Sequence, residues 1–94
     1  MTLPHTVVER DVTFSEAEFF RRAEAMLAGR NHALTDDGFV LDDGAKTLDA
    51  TLIRPDDPAR PLKVHFSFIG HTTAEVHEWR DVIDRHFRSD AHDA

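Results

Sequence analysis

The chain has 94 residues, 18 Asp and Glu against 11 Lys and Arg, a formal charge of −7, and no cysteine. That length suits one small domain rather than two, and the missing cysteine excludes disulfides, thiolate metal sites and a cysteine nucleophile. The acidic balance argues against nucleic acid, whose binders need a basic face to displace counterions, and no apolar run approaches the roughly 20 residues that cross a bilayer, so a soluble cytoplasmic protein with neither nucleic acid nor membrane as partner is the expectation.

The N-terminal stretch MTLPHTVVERD lacks the basic start and apolar run of a signal peptide. Within it Thr6–Val12 reads as a weak strand. Val8 and Val12 share a face, Arg10 falls between them, and the charges suit an edge or half-exposed position. Phe14–Gly29 reads as a helix. Ser15 is a good N-cap and Glu18 completes an S-x-x-E capping box, with Phe14 and Phe19 placed to form a hydrophobic staple. Phe19, Phe20, Ala23, Met26 and Leu27 make its apolar stripe. Gly29 suits the left-handed C-terminal position, and Arg30 brings positive charge to the negative helix end.

Asn31–Asp37 reads either as a connection or as a short strand. Two DDG tripeptides, Asp36-Asp37-Gly38 and Asp42-Asp43-Gly44, bracket a short strand Phe39-Val40-Leu41. A type I′ turn centred on Asp43-Gly44 sets Leu41 opposite Lys46 and Phe39 opposite Leu48. In the following strand, Lys46–Arg54, Leu48, Ala50 and Leu52 make one face, and Thr47, Asp49, Thr51 and Ile53 the other. The prolines of Pro55–Pro61 stop the sheet.

The most strongly patterned stretch is Pro61–Phe87. Leu62, Val64, Phe66 and Phe68 alternate with Lys63, His65, Ser67 and Ile69, so one strand face is buried. Pairing Arg54 with Leu62 sets Leu52 against Val64, Ala50 against Phe66 and Leu48 against Phe68, and a slip of one residue would split the Leu and Phe sets between faces. Gly70 ends the strand. Thr72 and Glu75 form a second capping box, and Val76, Trp79, Ile83 and Phe87 recur as a helical stripe, which makes Trp79 a core residue.

The expected fold is a two-layer α+β sandwich of order β-α-β-β-β-α: an antiparallel β-meander with both helices on one face. Residues 6–88 form its ordered core and 89–94 a polar tail of one domain spanning 1–94. The inner order α-β-β-β-α resembles that of double-stranded-RNA-binding domains. That family carries a Lys cluster at the start of its last helix, where His71–Asp81 here has no Lys and two Glu, so the likeness stops at element order.

The candidate chemistry is sparse. Seven His residues stand at 5, 32, 65, 71, 77, 86 and 92. His71 with Glu75, and His77 with Asp81, have the four-residue spacing of a chelating pair, but no H-E-x-x-H occurs, and His71 and His77 point about 240° apart around a helix. The Asp-rich turns lack the alternating ligands and terminal Glu of an EF-hand. Ser67, His65 and Asp49 share the outer face of the sheet, without the nucleophile-elbow context or oxyanion hole that hydrolysis requires. No glycine-rich phosphate loop or other cofactor motif is present. The resulting expectation is a non-enzymatic protein-interaction or regulatory domain that binds a protein partner or a second copy. The contact residues are Asp36, Asp37, Asp42 and Asp43 of the turns together with Ile53, Lys63, His65 and Ile69 of the open sheet face. The alternative is a divalent-metal or small-molecule site built from His65, His71 and nearby carboxylates.

Overall fold

A computed structural model describes residues 5–57 and 59–87. Its elements are β1 (His5–Val12), α1 (Glu16–Leu27), β2 (His32–Thr35), β3 (Gly38–Asp43), β4 (Lys46–Ile53), β5 (Leu62–Ile69) and α2 (Thr73–Phe87). The five strands form one antiparallel sheet in the order β1-β5-β4-β3-β2. The α+β class, the meander and the helix count agree with the sequence. The uncertain segment after α1 is a fifth strand, four residues long, at the edge beside β3.

The β4–β5 register is the one that the alternating pattern demands: Leu48↔Phe68, Ala50↔Phe66 and Leu52↔Val64. These residues are buried, as are Phe39 and Leu41 of β3 and Val8 and Val12 of β1. Helix α1 adds Phe19, Ala23, Met26 and Leu27, and α2 adds Val76, Ile83 and Phe87. One core thus lies between one sheet face and two helices. Phe14, Phe20, Trp79 and Val82 pack on its margin, so Trp79 is a rim residue rather than a core one.

The β3–β4 hairpin departs from the expected register. Asp43 pairs with Lys46, Leu41 with Leu48 and Phe39 with Ala50, so the turn is centred on Gly44-Ala45. Gly44 has φ +69, and no non-glycine residue among those described has positive φ. Positive φ at the first central position alone is the type II′ pattern, not I′. The two registers keep the same faces, but the observed one sets small Ala50 between Phe39 and Phe66 and joins Leu41 to Leu48 in the core.

The helix ends follow the sequence with two differences. Ser15 caps α1, its Oγ accepting from the Glu18 amide at 3.2 Å, but the Glu18 carboxylate turns to Arg21 and Arg22 instead of closing the box. In α2 the box closes both ways, Thr72 Oγ1 accepting from the Glu75 amide at 3.2 Å and Glu75 Oε1 from the Thr72 amide at 2.8 Å. Phe14 packs against Phe87 of α2, with centroids 6.4 Å apart, beneath the Arg22 guanidinium. Arg10, the polar interruption in β1, reaches across to α2 and donates to Asp84 at 2.9 Å.

Gly38, placed by the sequence in a turn, lies inside β3, buried and paired with Thr51. A Cβ there would meet the Ala50 carbonyl oxygen at 1.8 Å, whereas at Gly44 nothing lies within 4 Å. Gly38→Ala is therefore expected to cost about 1–3 kcal/mol of stability through overpacking, read as a lower urea midpoint with the denaturant slope unchanged. Gly44→Ala should cost about 1 kcal/mol, through its left-handed backbone alone.

Candidate functional site

Both helices cover the same side of the sheet, where the buried alternates of β1, β3, β4 and β5 point. The other side is open. Its side chains fall in rows across the ladder: His5–Ile69–Thr47–Asp42, then Val7–Ser67–Asp49–Val40–Ala33, then Glu9–His65–Thr51, then Asp11–Lys63–Ile53. Val7 is 45% exposed, Val40 36% and Ile53 43%, each set among polar positions of the rows.

Four of the residues singled out in the sequence, Ile53, Lys63, His65 and Ile69, share this face. Ile53 and Lys63 are neighbours, and with Asp11, Pro55, Arg60 and Pro61 they line a shallow groove at one end. His65 Nδ1 lies 3.3 Å from Glu9. Ile69 lies at the far end of its strand.

The two acidic turns are not brought together. They lie at opposite ends of β3, with Asp37 and Asp42 roughly 17 Å apart along it by strand geometry. Asp37 is also engaged: Arg54 Nη1 donates to it at 2.8 Å while the same guanidinium holds Glu16 at 2.7 and 2.9 Å. Asp36 contributes its carbonyl to that cluster. Paired with both acids, Arg54 has its pKa raised, with the Glu16 hydrogen bond the largest cause, and Glu16 is held below its ordinary value mainly by Arg54. At the other end Lys46, beside Asp43 in the ladder, bonds Glu75 of α2. Asp42 and Asp43 are exposed.

His65 and His71 do not converge. His71, offered by the sequence as a chelating partner of Glu75, is only 6% exposed. Gly70 has φ +82 and turns the chain out of β5, so His71 swings to the helix side and packs edge-on against the Phe68 ring at 5.4 Å. Its Nδ1 is buried without a hydrogen-bond partner. Among the described residues no group of three or more His, Asp or Glu is arranged to hold a metal ion.

Ser67, His65 and Asp49 do not form a relay either. Ser67 Oγ bonds Nε2 of His5, at 2.7 Å, not His65. Asp49 stands opposite Ser67, but its Oδ1 is buried and accepts no hydrogen bond. Sequence reasoning placed Asp49 on this face without counting it among the contact residues, and missed Val7 and Val40. The signal was available, since each alternates with a core residue of its strand. A second groove, lined by Arg30, Glu75, Glu78, Trp79 and Val82, lies on the helix side, where the Arg30 guanidinium sits 5.0 Å from the Trp79 ring centroid. No helix among the described residues is long and apolar enough to cross a membrane. The chain matches no protein-family model, no curated protein and no solved structure.

The Lys46–Glu75 pair has a pH signature. The Glu75 carboxyl is held down from 4.5 to about 2, first by the Lys46 ammonium and then by the Thr72 amide. A depressed carboxyl stabilises the fold above its unfolded value and ceases to do so as pH falls through the folded one. Thermal melts should therefore show a loss between pH 4.5 and about 2 that is smaller in Glu75→Gln. At pH 7 that variant should melt below the wild type.

Proposed function

We propose that this chain is a small non-enzymatic protein-interaction domain that binds a protein partner across its open sheet face. The observation that carries this function is the one-sided arrangement: two helices shield one face, and the other exposes Val7, Val40 and Ile53 scattered among polar and charged groups. A mixed apolar and polar sheet face is suited to packing against another protein. Asp42 and Asp43 at one end and Asp36 at the other frame the face with negative charge, which favours encounter with a basic surface. Ile53 and Lys63 form one corner of the face, His65 lies inward of them, and Ile69 stands at the far end of β5.

The test compares variants against one identified partner. The tagged chain captures a protein from extracts of its native cell, and that protein is then purified. Val40→Asp with Ile53→Asp, on a chain whose melting temperature is checked, should abolish its binding, whereas Arg80→Ala on the exposed side of α2 should leave it unchanged. Equal binding by the sheet-face double variant would refute the proposal. Charge reversal at Asp42 and Asp43 is expected to slow association about tenfold at low salt, with little change in dissociation, because rim charges act on encounter. Stopped-flow association rates at two salt concentrations measure this.

A further inference from the structure

We infer that the outer sheet face recognises a cationic side chain of its partner, a lysine or arginine with apolar neighbours, seated on Asp49. This rests on the sheet face being the contact surface and adds the chemistry of the group it takes. β4 is the middle strand of the five, and Asp49 lies in the middle of its outward residues. Its Oδ1 is shut away from solvent and receives no hydrogen bond. Ser67 on one side of it is engaged with His5, and Val40 on the other has no side-chain donor to offer.

Aspartate is among the residues least suited to a central strand, and a buried acceptor without a donor lowers stability. Neither cost is offset among the described residues, and Asp49 as a whole is only half-buried, so its other carboxylate oxygen is open to a donor from outside. A lysine or arginine fits the row on both counts. Its methylenes lie on Val40, the cross-strand neighbour of Asp49, while its charged head reaches the acid. A half-buried charge near the centre of a face, beside the apolar Val40, is placed where binding hot spots concentrate.

Charge decides between a foreign partner and a second copy. The outer face carries Glu9, Asp11, Asp42 and Asp49 against Lys63 alone among its Lys and Arg positions. Two such faces pressed together would oppose like charges, whereas a basic surface is complementary.

The experiment is a ¹H–¹⁵N shift titration of the full chain at low salt with the tripeptide acetyl-Val-Arg-Val-amide. Controls are the citrulline analogue, which keeps the shape without the charge, and the Val-Glu-Val peptide. The arginine peptide should shift the Val40, Asp49 and Ser67 amides saturably, about tenfold more tightly than the citrulline analogue. Asp49→Asn should reduce it to the citrulline level. Undiminished binding to Asp49→Asn would overturn Asp49 as the anchor while leaving the face as the contact surface. Shifts confined to the helix side would overturn the contact surface itself. A readout separate from binding is the melting temperature of Asp49→Thr, expected to rise by about 4 °C; a fall of that size would make the carboxylate structural and overturn the inference. Sedimentation equilibrium should show a monomer, and a dimer dispersed by Asp49→Arg would replace the cationic partner with a second copy.

Discussion

Four phenylalanine rings hold the two layers together. Phe19 of α1 lies 6.2 Å from Phe39 of β3 and 5.3 Å from Phe87 of α2; Phe66 of β5 lies 6.4 Å from Phe39 and 5.8 Å from Phe87. The four rings close a circuit that runs through both helices and two strands. Three of them are essentially without solvent contact, and Phe87 is buried. Ring pairs at such separations add about 0.5–1.5 kcal/mol each beyond the area they bury. Because both helices are anchored in this circuit, neither is free to cross to the other face, and the sheet stays covered on one side only. The open face is a consequence of where the aromatic residues fall.

Ion pairs surround that circuit. Arg10–Asp84 joins β1 to α2, Lys46–Glu75 joins β4 to α2, and Arg54 joins the end of β4 to the start of α1 and to the β2–β3 turn. Each is partly exposed, and exposed pairs contribute little individually, about 0–1 kcal/mol. Their larger effect is on where charge remains unpaired. The pairs engage Glu16, Asp37, Glu75 and Asp84 at the helix side and the sheet ends. The middle of the open face keeps Asp49 without such a partner.

What could be read from the residues depended on how local the determining contact is. The β4–β5 register was legible because Leu48, Ala50 and Leu52 must meet Phe68, Phe66 and Val64 on one face, and any odd slip breaks that match. The β3–β4 register shifted by two because Asp43-Gly44 and Gly44-Ala45 both make two-residue turns and both preserve the faces; packing of Ala50 between Phe39 and Phe66 selects the second. The place of β1 was not legible, since its pairing with β5 has no local signature. The side that His71 takes was not legible for a related reason: it is set by the positive φ of Gly70, not by the strand alternation before it. Of the surface residues, Ile53, Lys63, His65 and Ile69 were readable from period two alone. The separation of the acidic turns needed the sheet itself, because closeness in sequence hides that β3 runs between them.

The pairing of the first strand with the last also orders events in time. Among the described residues, 5–12 find their one ladder partner in residues 62–69, while α1 and the β2–β3–β4 meander are built from neighbours. During synthesis the helix and the meander can assemble as they emerge, but the first strand must wait for β5 with its backbone groups unpaired. Closing so long a loop carries an entropic cost that local hairpins avoid. Val7 and Val8 are flanked in the chain by Glu9, Arg10 and Asp11, a charged run of the kind that keeps a waiting strand from pairing with the wrong edge. The charges that make β1 a poor strand by composition thus protect it until its partner arrives.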